Sequence, residues 1–258
     1  MDVATELNRP VMARSRTPRY EAPKDICTVR LWDLLEGVRS IRADQWKRLT
    51  LPGFEQLAAA RESGPLLFCS GQLDLVKQKC VAVVGSRKVS PEGAARASRL
   101  GRELAQAGVV VVSGLAEGVD TCALSSAIEA GGKTIAVIGT PLEIAFPAKN
   151  APLQETIYRE HLLVSQFVAG SPVFKSNFPA RNKIMAAISD ATVIVEASDE
   201  SGSLHQAAEC GPKRLDRWLF IAKSLLEKPG VTWPKKFVGT SPKVRVLETT
   251  ADILSVLS

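Results

Sequence analysis

Histidine is scarce in this sequence and its cysteines follow no ordered pattern. The two histidines, His161 and His205, lie far apart, and the five cysteines (27, 69, 80, 122 and 210) include no C-x-x-C pair. There is no H-E-x-x-H, no G-x-S-x-G and no Cys/His ligand spacing, so no metal site and no catalytic residue is assigned. An odd, dispersed cysteine set fits a reducing compartment, with most thiols buried as small apolar residues. Long hydrophobic runs are also missing. The apolar stretches are a few residues long, far below the roughly 20 a spanning helix needs, and no signal peptide is evident. The expectation is a soluble, cytoplasmic protein with no membrane partner. Internal repeats and low-complexity segments are absent too.

Two nucleotide signatures are incomplete. The turn after the first strong strand carries Gly85 alone instead of G-x-G-x-x-G. Ser113 stands where an acidic ribose-binding residue would end the second strand, so an NAD site is not expected. Gly132-Lys133-Thr134 resembles the end of a P-loop. However, Ala127 takes the place of its first glycine and the segment precedes a strand, so it reads as a helix C-cap and turn. No cofactor is expected. Glu196 has no Lys two residues on, which argues against a restriction-type nuclease centre.

What is present is a 258-residue chain with 45% hydrophobic residues and a formal charge of +6. Its mean hydropathy is +0.05 and its pI about 9.1, a moderate lean toward anionic partners. The basic surplus concentrates between Gly211 and Arg245, where nine Lys/Arg face only Asp216 and Glu227. Most of that stretch is expected to be simply solvated.

From Cys80 onward, short apolar runs alternate with helical segments. Val81–Val84, Val109–Val112, Thr134–Ile138, Leu162–Ser165, Thr192–Glu196 and Trp218–Ala222 read as buried parallel strands. The intervening segments read as helices, one of them running from Phe178 to Ser189. This predicts an α/β fold with a doubly wound, mostly parallel Rossmann-like sheet and a short N-terminal helical extension. The expected organisation is a flexible basic arm (1–25), a small helical extension (26–64), the Rossmann-like domain (65–228), and a C-terminal strap with a short helix (229–258). In such sheets ligands sit beyond the carboxyl ends of the strands, at the switch point. Those ends carry Gly85-Ser86-Arg87, Ser113-Gly114, Gly139-Thr140 and Glu196, and all four are expected to face one crevice.

Three turns look like phosphate cradles. After Val84 come Gly85, Ser86 and Arg87, then a helix capped by Ser90 with Pro91 at its first position. Free backbone N–H groups and a positive helix end converge there, and arginine adds a forked donor. Arg181 and Lys183 sit in the first turn of a predicted helix, where cations oppose the dipole, so a ligand reason is plausible. Asn182 lies between them, and Phe178 beside them is a candidate to stack on a base or to pack in the core. Ser201-Gly202-Ser203 form the third turn. His205 follows that turn and is a weak ligand candidate, His161 reads as structural, and Asp120 as a first-turn carboxylate favourable to its helix dipole.

The segments VAVVGSRKVSPEG, VVVSGLAEGVDTCAL, GGKTIAVIGTPLEIAFPAKN and FPARNKIMAAISDATVIVEASDESGSL resemble the DNA-processing protein A family (DprA, also Smf) over roughly residues 65–225. The resemblance implies a non-enzymatic protein that binds single-stranded DNA without sequence preference. It further implies delivery of RecA recombinase to DNA during natural transformation, and assembly as a homodimer. Gly85-Ser86-Arg87 match the family's DNA-contacting Gly-Ser-Arg turn, and Arg181-Asn182-Lys183 its basic Arg-Asn-Arg element. Lys149 falls in a loop where the family carries DNA-contacting basic residues. Departures are Leu124, where the family has His, and His205-Gln206-Ala207 in place of Ile-Thr-Ala. With no recognisable winged-helix module, the chain reads as a compact relative. Two alternatives stay open: a nucleotide or nucleotide-derived signal binder, as in phage defence, or a phosphoribohydrolase like the lonely-guy enzymes of the same superfamily. Hydrolysis is disfavoured because Gln206 falls at the catalytic Glu position.

Overall fold

A computed structural model describes residues 20–39, 64–211 and 214–257. The basic arm as far as residue 19, and the helical pattern expected around Trp46, Leu49, Phe54 and Leu57, lie outside the described residues. Among the described residues, nine strands form one sheet: β1 (Cys27–Arg30), β2 (Leu66–Gly71), β3 (Cys80–Val84), β4 (Val110–Ser113), β5 (Thr134–Ile138), β6 (Leu162–Ser165), β7 (Ala191–Ile194), β8 (Trp218–Ala222) and β9 (Val244–Leu247). Their order is β1-β2-β6-β5-β4-β3-β7-β8-β9. From β6 through β9 every neighbouring pair is parallel, whereas β1–β2 and β2–β6 are antiparallel.

The described helices are α1 (Leu31–Leu35), α2 (Pro91–Gln106), α3 (Val119–Glu129), α4 (Ala151–Glu160), α5 (Asn177–Ile188), α6 (Ser203–Cys210), α7 (Lys223–Glu227) and α8 (Thr250–Leu257). The uninterrupted apolar run of β3 follows from burial on both faces, with alternate residues serving different layers. Cys80, Ala82 and Val84 pack with Ile184 and Met185 of α5, Ala207 of α6 and Leu225 of α7. Val81 and Val83 pack with Leu100 and Leu104 of α2, Ala123 of α3, Ile157 of α4 and Ile253 of α8.

Two sequence expectations change. Residues 27–30, read as part of a helical extension, form an edge strand. The strap after Pro229 contains β9, which extends the sheet beside β8. Both edges are short and only half-buried, so they lack the continuous apolar signature of the inner strands.

The strand order fixes the switch point. The chain lays β3 through β6 to one side, then returns to pair β7 on the other side of β3. The loops after β3 and β7 therefore diverge and open a crevice.

Candidate nucleic-acid interface

That crevice has a volume of about 660 Å³. It is lined by Gly85–Lys88 after β3, by Glu196–Ser198 and Ser201–Ser203 after β7, by Phe178, Arg181 and Asn182 of α5, and by Ala116, Asp120, Gln206 and Lys228. Both loops are held by short contacts. Ser86 N donates to Glu196 O at 2.6 Å, and Val119 N donates to Ser86 O at 3.2 Å. Gly118, at φ +76°, sits so close under this turn that a Cβ would collide with the carbonyls of Ser86 and Arg87. Ser90 caps α2 by accepting from Gly93 N at 3.0 Å, and its hydroxyl donates to Glu196 Oε2 at 2.5 Å. Glu196 thus ties the start of α2 to the end of β7, and Lys228 Nζ lies 3.8 Å from its other oxygen.

The four strand ends do not all face solvent. Ser113 is fully buried and its hydroxyl donates to Val83 O at 2.7 Å, so it joins β4 to β3 instead of meeting a ligand. Gly114 is covered by the Arg181 guanidinium, which occupies the place a Cβ would take. Gly139 is covered in the same way by the Phe178 ring, 2.7 Å from where its Cβ would stand. Neither Ser113 nor Gly114 lines the crevice; they form a backing layer behind α5.

The two arginines that look equivalent in sequence have opposite surroundings. Arg87 is exposed, its guanidinium 5.3 Å from the centre of the Phe178 ring. Phe178 is half-buried and packs at 5.4 Å on Phe146. Arg181 is 6% exposed and lies in the second turn of α5, past the first turn assigned from sequence. Its Nη1 donates to Val137 O at 2.7 Å, while its Nε is buried without a hydrogen-bond partner among the described residues. Burial lowers the Arg181 pKa to about 10, with Asp120 opposing that shift and Arg87 adding to it. Asp120 is itself pushed up by burial. Arg181 and the N–H groups of Ala116 (3.3 Å) and Gly114 (3.1 Å) act against that rise. This carboxylate, read from sequence as a dipole partner, also organises the turn before α3 and balances Arg181.

The remaining candidates divide. Asn182 Nδ2 donates to Gly202 O at 3.4 Å, linking α5 to the Ser-Gly-Ser turn. There Ser201 Oγ donates to Ser203 Oγ at 3.1 Å and accepts from Ser203 N at 3.3 Å. Lys183 is not part of the crevice lining. Burial lowers its pKa, and the charges acting on it are Glu209 and Arg214. Lys149 is exposed on a 3-10 turn and pairs with Glu117 at 3.0 Å, outside the crevice lining. His205 is exposed and does not line the crevice either; His161 is buried, as a structural residue would be.

Sequence reasoning missed Lys88 and Lys228. Lys88 adjoins the Gly-Ser-Arg turn, a signal that was available. Lys228 belongs to the basic stretch from Gly211 to Arg245, most of which is expected from sequence to be solvated, and directly precedes the strap. That strap is fastened across the β7 loop: Thr232 N donates to Asp199 Oδ1 at 2.9 Å, Trp233 N to the same atom at 3.0 Å, and Trp233 Nε1 to Ala197 O at 3.3 Å.

Residues 52–250 match the family model described as DNA recombination-mediator protein A. DNA processing protein DprA of Streptococcus pneumoniae is 46% identical over 139 residues, which is 54% of this chain and 49% of that protein. An X-ray structure of DprA from the same organism superposes with a TM-score of 0.62 at 36% identity, covering 74% of this chain and 65% of that one. DNA processing protein A of Helicobacter pylori, solved to define its single-stranded DNA binding mode, shares the fold. Its TM-score is 0.67 at 24% identity over 90% of this chain and 95% of its own. The chain spans about half the length of the curated relatives it matches.

Proposed function

We propose that this chain, which belongs to the DNA recombination-mediator protein A family, binds single-stranded DNA without sequence preference in the switch-point crevice and is not an enzyme. The observation that carries the reading is the rim of that crevice. An exposed arginine lies over a half-buried phenylalanine, with Lys88 and Lys228 on the same lining. A guanidinium and two ammonium groups meet backbone phosphates, while an aromatic face next to them accepts a base of any identity. Arg181 acts from beneath, as a buried positive charge that raises the potential of the crevice floor. Lys149 extends the contact when strand length allows.

The test is titration of a labelled oligonucleotide at two salt concentrations, with a mononucleotide as competitor. Losing one charge-assisted phosphate contact costs about 1.5–3 kcal/mol. Arg87→Ala should therefore weaken binding about tenfold or more on every sequence, and lower the single-strand salt slope by about 0.7. Unchanged affinity in Arg87→Ala would remove the site. Tight mononucleotide binding that displaces the strand would favour a nucleotide sensor instead.

Family membership also supports three finer proposals: loading of RecA recombinase onto the strand in natural transformation, assembly as a homodimer, and a cytoplasmic location. Co-precipitation with RecA in the presence of single-stranded DNA, and sedimentation of the free protein, test the first two.

A further inference from the structure

Two of the five cysteines face each other across the sheet edge. Cys27 of β1 and Cys69 of β2 are direct partners in the antiparallel register, so their side chains project to the same face. Directly opposed residues in such a pair have Cα atoms about 4.5–5.5 Å apart, within the roughly 4.4–6.8 Å that a disulfide spans. The Cys27 side chain leans toward its partner, its Sγ lying 3.5 Å from Cys69 O. The two differ sharply in access. Cys27 is exposed and lines an open cavity of about 780 Å³ together with Lys24, Ser70, Tyr158 and Arg159, whereas Cys69 is fully buried beneath it. Neither thiol takes part in the crevice.

We propose that Cys27 and Cys69 form a reversible cross-strand disulfide when the protein meets a hydroperoxide, with Cys27 as the attacking and Cys69 as the resolving thiol. The Cys27 thiolate attacks one peroxide oxygen, the O–O bond breaks, and the departing hydroxide is protonated to water. This leaves a sulfenic acid on Cys27. Sγ of Cys69 then attacks the Cys27 sulfur. The S–S bond forms, the S–O bond breaks, and the leaving hydroxide takes the Cys69 proton as a second water. One peroxide is reduced as two thiols are oxidised by two electrons. Burial pushes the Cys69 thiol up to about 12, which slows this second step and gives a trapping reagent time to reach the sulfenic acid.

The bridge would pin the outermost strand to the sheet. The segment just before β1 is docked by hydrogen bonds that each involve a side chain: Tyr20 Oη donates to Leu142 O at 2.7 Å, Glu21 N to Glu155 Oε1 at 2.9 Å, and Glu21 O accepts from Tyr158 Oη at 2.8 Å. Among the described residues, β1 pairs in the sheet with β2 alone. A covalent link at residue 27 would suppress fraying of this edge.

The experiment treats the full chain with a few equivalents of hydrogen peroxide, then counts free thiols in denaturant and maps tryptic peptides without reduction. The expected result is a loss of two of the five thiols and a linked pair of peptides 25–30 and 62–77. It should also show a higher melting temperature than the reduced protein, and full reversal by dithiothreitol. C27S should lose both the link and the temperature shift, and C69A should accumulate a dimedone-reactive sulfenic acid at residue 27. Three results would overturn the proposal: all five thiols surviving treatment, Cys27 reaching sulfinic acid while Cys69 stays reduced, or Cys27 joined to a second copy of the chain.

Discussion

Arg87 and Arg181 border one crevice, and the structure assigns them different work that a folding measurement can separate. Replacing Arg181 with Met keeps the helical propensity and most of the volume but removes the buried charge. Its Nη1–Val137 O bond of 2.7 Å is charge-assisted, and losing such a bond costs about 1.5–3 kcal/mol. The change also strips Asp120 of the cation that offsets its burial. Asp120 keeps its two backbone donors, so the total should be about 2–4 kcal/mol, at or below the 3–5 kcal/mol seen when a directly bonded buried pair is broken. Asp120→Asn removes the unpaired charge, so the double variant should be less destabilised than the sum of the two single variants, with a coupling of about 1 kcal/mol or more.

The pH dependence has a definite sign. Asp120 has its folded pKa raised above the ordinary 3.8, so its charged form is what folding disfavours. Without Arg181 that penalty grows. The destabilisation of Arg181→Met should therefore be largest near neutrality and shrink as pH falls toward the carboxylate range. Urea unfolding at pH 5 and 7 measures both quantities. Strictly additive single variants, or a loss independent of pH, would refute the claim that Arg181 and Asp120 act on each other.

Two further outcomes follow from burial. His161 is 4% exposed, neither ring nitrogen is hydrogen-bonded among the described residues, and burial together with Lys133 lowers its pKa below 6.5. Its stabilising contribution is thus present above about pH 6.5 and lost as pH falls through the folded value. His161→Phe should flatten the thermal-melt pH dependence in that window, and an unchanged profile would count against it. Gly118→Ala places a Cβ against the Ser86 and Arg87 carbonyls at a φ of +76°, so it should cost about 1–3 kcal/mol in urea unfolding and weaken oligonucleotide binding by displacing the Gly-Ser-Arg turn. A neutral effect on both would mean the turn has room to yield.

Much of the architecture was legible because inner strands of a parallel sheet are buried on both faces and are therefore mostly apolar, with small hydroxyl residues at a few positions. Cys80–Val84 and Thr134–Ile138 announce themselves in this way. The edges did not. Val244–Leu247 alternates like any half-buried segment, and Cys27–Arg30 is exposed at its start, so only their neighbours make them strands. The Gly-Ser-Arg turn was visible because a turn and a capped helix are local events, governed by adjacent residues.

The sequence by itself determined the strand–helix alternation, the switch-point location of the crevice and the presence of cations around it. The tertiary structure alone decided which of those cations meets solvent. Arg181 and Lys183 read as a pair, yet α5 turns the first inward over Gly114 and the second toward Glu209. Lys228 is distant in sequence, yet it stands at the rim, just before the strap that is anchored at Asp199. Exposure is a property of what packs against a side chain, and those neighbours come from strands far away in the chain.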